Sequence, residues 1–247
     1  MKPSFRLTVN CVLLMVALVS GASYAAADKT CSNSTLNGTY GALIRGTASG
    51  LPFAALDVVT ADGNGNFSGT GTIAYNSVIS QNVPISATYS INADCSGSVS
   101  FSSGATQNLV ITHDGEQVQF IRTDNLNAQV TGDARRVDRK NCSNKSLSGD
   151  FAATLGGTAS GLPFVALDSV SAGGDGSFSG SGTISYNGAI TNVTFTATYS
   201  INSDCSGSIS FDTGATQNLV VVGKGDEVRF IRTDNANDVV TGVAKSL

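Results

Sequence analysis

The sequence repeats itself once, at the length of a whole domain. Cys31-Ser32-Asn33 returns as Cys142-Ser143-Asn144, the run from Gly46 to Phe53 returns from Gly157 to Phe164, and Phe120 to Asn125 returns as Phe230 to Asn235. The offset is 111 at the first cysteine of each copy and 110 at the second, so one residue is lost near Asn82. A unit of roughly 105 residues is far longer than a solenoid repeat and large enough to bury its own core. The 247 residues therefore divide into residues 1–27, read as a leader, a first repeat at 28–137 and a second at 138–247. Asp133 to Lys140, polar and basic, reads as the link between them.

Within each copy the pattern is all-β. Runs rich in Val, Ile, Thr, Phe and Tyr alternate with Gly, Asn and Asp clusters, which predicts about eight short strands per repeat. Alternate residues share a face of a strand. One face collects Tyr40, Ala42 and Ile44, then Phe53, Ala55, Asp57 and Val59, then Phe67 and Tyr75, Tyr89, Leu109, Phe120 and Arg122. The other face reads as mainly Ser, Thr and Gln. In the second copy Phe151, Phe164, Asp168, Phe178, Tyr186, Tyr199, Phe230 and Arg232 take the inward places. Even strand spacing with one apolar face throughout predicts two tandem antiparallel up-and-down β-barrels. A two-sheet sandwich would give the same alternation.

The leader reading rests on Lys2 and Arg6, the apolar stretch from Val9 to Val19 and the small residues Ala25-Ala26-Ala27. The apolar run is short for a spanning helix, so the expected localisation is secreted, extracellular or periplasmic, with no transmembrane segment after leader removal. Removing Cys11 with the leader leaves four cysteines, for which three pairings exist. Duplication favours pairing within each copy, Cys31 with Cys95 and Cys142 with Cys205. Each bond closes a loop of about 60 residues and stabilises by about 4 kcal/mol on the chain-entropy argument. Wide cysteine spacing without nearby histidine argues against a metal, and no cofactor is expected. The net charge of −4 offers no basic field for nucleic acid.

Three kinds of residue interrupt the apolar inner face in both copies: Asp57 and Asp168, Arg122 and Arg232, and the tyrosine pairs Tyr75/Tyr89 and Tyr186/Tyr199. A charge on an inner face is costly unless paired, which predicts Asp57 with Arg122 and Asp168 with Arg232. These eight residues are the candidate ligand-binding set, a polar floor in an apolar cavity. No catalytic residue is assigned. The only histidine, His113, has no counterpart in the second copy, and Asp62-Gly63-Asn64-Gly65-Asn66 reads as a hairpin turn rather than a calcium loop.

Leu36-Asn37-Gly38-Thr39-Tyr40 resembles the opening strand of avidin-type and lipocalin-type barrels, the calycins. Gly65-Asn66-Phe67-Ser68-Gly69-Thr70 is similar to an avidin hairpin strand, and Arg122 resembles the calycin arginine that packs over the strand-one aromatic. Equivalent pieces recur at Leu147 to Phe151, Gly176 to Ser181 and Arg232. Asp94-Cys95-Ser96-Gly97-Ser98 is similar to a stretch in secreted bacterial proteins of unassigned function. The resemblance implies a calycin-like barrel. It does not imply biotin binding, because Tyr40 and Phe151 stand where the signature Trp would be, the chain has no Trp, and Gly71 and Gly182 replace a biotin-contacting Tyr. The functional expectation is a secreted, non-enzymatic protein holding a small, mostly apolar ligand in each barrel. One alternative is an extracellular structural or surface protein that associates with itself or a cell-surface partner; another is a barrel isomerase or cyclase.

Overall fold

A computed structural model describes residues 30–138 and 140–247. The leader assignment, with its apolar run and cleavage site, lies outside the described residues. The first repeat holds strands β1 (Asn37–Ala48), β2 (Leu51–Asp62), β3 (Asn66–Tyr75), β4 (Val78–Ile91), β5 (Ser96–Phe101), β6 (Thr106–Thr112), β7 (Gln117–Arg122) and β8 (Ala128–Arg136). The second holds β9 (Ser148–Ala159), β10 (Leu162–Gly173), β11 (Ser177–Tyr186), β12 (Ala189–Ile201), β13 (Ser206–Phe211), β14 (Thr216–Val222), β15 (Glu227–Arg232) and β16 (Val239–Ser246). Each set pairs antiparallel with its sequence neighbour and closes, β1 on β8 and β9 on β16. The fold is therefore two closed eight-stranded up-and-down barrels. Among the described residues no helix is long and apolar enough to cross a membrane.

Both disulfides form within their own barrel, Cys31 to Cys95 and Cys142 to Cys205. In the first repeat the bond fastens a short 3₁₀ turn, Asn33–Thr35, across one end. There the Tyr89 hydroxyl donates to the Leu36 carbonyl at 2.8 Å, and Asn33 Oδ1 accepts from the Ile91 amide at 2.9 Å. Tyr40 donates to the Gly115 carbonyl at 2.6 Å, and burial pushes its hydroxyl up to about 12. Tyr199 and Asn144 repeat the Tyr89 and Asn33 contacts in the second barrel. One end of each barrel is thereby closed. The opposite end carries the β1–β2, β3–β4, β5–β6 and β7–β8 turns and their counterparts, and forms the mouth.

The residue lost between copies is a β-bulge. Between Gly71 and Ile73 the β3–β4 register shifts, and Asn82 takes a left-handed φ of 56°, a conformation asparagine tolerates. The corresponding β11–β12 pairing runs without a break through Thr183 and Asn192. The bulge presents Gln81 to the second barrel, where its Oε1 accepts from Asn218 Nδ2 at 2.9 Å.

Two features depart from the sequence reading. Asp133 to Arg136 belong to β8, so the connection starts at Val137, which bridges to Gly223 of the second barrel. The outer faces are also not uniformly polar. Leu43, Ala54, Leu56 and Ala74 of the first barrel pack on Val220, Val222 and Ile231 of the second, forming an apolar layer between the barrels. Gly41 permits this approach, since a Cβ there would lie 2.6 Å from Val222 Cγ1. A charge cluster centred on the buried Arg229 and Glu227 crosses the same layer. Arg229 bonds Glu227, Asp133 and the Gly41 carbonyl, while Arg135 bonds Asp226 at 2.8 Å and Glu227 at 3.1 Å.

Candidate functional site

The interior of an eight-stranded barrel is just wide enough for side chains to fill. Here aromatic rings occupy the closed half. Phe67 stacks on Tyr89 and meets Phe101 edge-on, and Phe178, Phe195 and Phe211 all contact one another in the second barrel. What remains is a cavity of about 70 Å³ in the first barrel and about 60 Å³ in the second. Both are well below the roughly 300–1,000 Å³ typical of pockets for drug-sized ligands. Lipid-sized cargo would require the interior to rearrange.

Each cavity wall holds one carboxyl. Asp57 sits in mid-β2, opposite Ala42 of β1 and Gly71 of β3, and is 8% exposed. Gly71 makes room for it, because a Cβ there would lie 2.0 Å from Asp57 Oδ1; Gly182 does the same for Asp168 at 1.8 Å. Oδ1 of both aspartates is sealed from solvent and has no hydrogen-bond partner among the described residues. Burial alone pushes Asp57 up to about 7 and the less enclosed Asp168 to about 6. A neutral carboxyl is a donor as well as an acceptor, so each cavity offers a directional group on a largely apolar wall. Gln107 and Gln217 add a second polar side chain to each lining. Both share a strand face with the inward residues Leu109 and Leu219, so the alternation that found those leucines also points to the glutamines.

The predicted pairing of the aspartates with the inner arginines does not occur. Arg122 lies at the mouth end of β7 and is captured by Asp124, two residues on, through Nε at 2.8 Å and Nη2 at 2.9 Å. That bidentate bond holds the Asp124 carboxyl well below the usual range. Arg232 forms the same pair with Asp234. A short-range partner at the mouth displaces a long reach to mid-barrel. The strand-one aromatic Tyr40 has Arg136, not Arg122, in register beside it. Of the eight candidate residues, Asp57, Asp168 and the Tyr89 ring line the cavities. The Tyr199 hydroxyl is engaged in closing its barrel, and Tyr75, Tyr186, Arg122 and Arg232 stand toward the mouths. The Asp62 segment is a turn: Asp62 Oδ1 accepts from the Asn64 amide at 2.7 Å and the Asn66 amide at 3.0 Å.

The second mouth has an additional clamp. Asp238, 2% exposed, accepts from Arg232 at 2.9 Å and from the Ser160 amide at 2.7 Å, tying the β9–β10 turn to β15. Ala128 occupies this position in the first copy. Asp238→Ala is expected to lower the unfolding free energy by about 2 kcal/mol in urea titration, because it strands the Ser160 amide and removes one of the two carboxylates on a partly buried Arg232, which keeps Asp234. An unchanged midpoint would refute that role. No model of a known protein family matches the chain, and no curated protein matches it in sequence.

Proposed function

We propose that the protein is an exported binding module in which each barrel holds a small, mostly apolar molecule by a single hydrogen bond to its buried acid. The observation that carries this reading is the orphaned Oδ1 of Asp57 and Asp168, present in both barrels. An unpartnered carboxyl in an apolar interior lowers stability where an alanine or valine would raise it. Two copies of that costly group favour a ligand as the missing partner. Closed eight-stranded barrels accord with the calycin resemblance, and the small cavities set the ligand at a few heavy atoms. Export is supported by the Lys2 to Ala27 leader pattern together with one disulfide inside each barrel.

Cyclopentanone, whose carbonyl accepts a proton from a neutral acid, is a suitable probe. NMR titration below pH 6 should give saturable shifts around Asp57 and Asp168. Binding at the first barrel should weaken as pH rises through about 7, and Asp57→Leu should remove it there while the second barrel still binds. Binding that survives Asp57→Leu, or no saturable shift in either barrel, would overturn the reading.

A further inference from the structure

We propose that the chain assembles head to tail with further copies of itself, using at each end the kind of contact that joins its own two barrels. The internal contact sets the outer face of β1–β4 in the first barrel against the outer face of β14–β16 in the second. Because the barrels are copies, each has both faces. The contact therefore leaves one unused face at each end of the chain: the outer face of β6 and β7 in the first barrel, β8 being engaged through Asp133 and Arg135, and the β9–β12 face of the second.

Both unused faces keep some of the apolar residues of their buried counterparts. Val110 and Ile121 correspond to Val220 and Ile231, yet are 49% and 54% exposed where the latter are fully buried. Val165, Leu167 and Ile190 correspond to Ala54, Leu56 and Ile79, and are 56%, 59% and 76% exposed. Several large apolar side chains gathered on one outer face of a barrel mark a surface that something covers.

Part of the polar pairing is kept too. Inside the chain, Asn218 bonds Thr72 at 2.8 Å and Arg135 pairs with Asp226. On the unused faces Asn108 corresponds to Asn218 and Thr183 to Thr72, whereas the counterparts of Asp226 and Arg135 are paired within their own barrels, Glu116 with Arg136 and Lys245 with Glu227. One free face thus carries the asparagine and the other the threonine of the hydrogen bond that joins the two barrels. Complementarity of this sort selects a second copy as the occupant over an unrelated partner.

The copies differ where the internal contact is most committed. Gln119 replaces the buried Arg229, Thr112 replaces Val222, Thr154 replaces Leu43, and Ala152 replaces the close-packed Gly41. The intermolecular contact is therefore looser and carries no buried ion. It is a reversible association rather than a permanent one. Its two faces are different, so it is heterologous and adds copies into a ring or an open filament.

The test is sedimentation velocity on the exported chain from micromolar to millimolar concentration. The weight-average mass should rise roughly twofold or more. Ile121→Asp and Leu167→Asp alter exposed side chains, so the fold, checked by circular dichroism, should persist. Each variant alone should stay monomeric. Mixed together they should form a dimer and stop, because each retains the one face the other needs. A wild-type chain that stays monomeric at millimolar concentration, association that survives either variant alone, or a mixture that stays monomeric would overturn the proposal.

Discussion

Stability should fall as the pH is raised from about 5 to about 8, the reverse of what a chain held together by ionised carboxylates would show. Between pH 4 and 7 the folded first barrel keeps a proton on Asp57 that the unfolded chain, with an ordinary carboxyl near 3.8, has released. The folded state binds more protons in this window, so each increment of pH costs stability. The contribution is complete below the unfolded value and lost as pH passes about 7. The total is about 4 kcal/mol, nearly all of it gone by neutrality. Asp168 adds a smaller effect of the same sign that ends near 6. The depressed carboxyls, such as Asp62 and Asp124, act only below the unfolded value and leave this window untouched. Denaturant titrations of wild type and Asp57→Asn across the range are the measurement. The variant should gain about 3 kcal/mol on wild type between pH 5 and pH 8. Parallel profiles for the two proteins would rule out a titrating Asp57.

Arg229→Ala should cost about 4 kcal/mol, because it leaves Glu227 and the carbonyls of Gly41 and Asp133 facing a dehydrated layer with fewer donors. The first copy shows what this site looks like without the ion pair, since Gln119 and Gln117 stand where the second has Arg229 and Glu227. The double variant Arg229→Gln with Glu227→Gln should therefore recover most of the loss, measured by thermal or denaturant unfolding. Equal losses in the single and double variants would mean that the guanidinium itself, rather than an abandoned carboxylate, sets the cost.

The barrels were legible because period-two alternation and duplication agree: Tyr40, Ala42 and Ile44 face inward as their spacing requires. Asp57 and Asp168 were legible as inward charges. Their partners were not, since alternation ranks faces but not distance along a barrel, and Asp124 is simply nearer to Arg122. The layer between barrels was hidden for a different reason. Leu43 against Thr154, Val222 against Thr112, and Val243 against Asp133 are positions where only one copy is apolar. Shared residues define the barrel, and such one-sided differences mark the surface by which one copy meets the other.

Barrel closure by first and last strands also sets an order of events as the chain is made from its N-terminus. The first barrel is complete once Arg136 has been added, with its disulfide partners both in place. Its outer β1–β4 surface, with Leu43 and Leu56, then waits bare until β14 to β16, the last segments to arrive, are built. During that interval the half-made chain displays to its neighbours the surface it will later cover itself. Crowded, fast synthesis is therefore when nascent chains are most exposed to joining the wrong partner, and slow release of the final strands prolongs it.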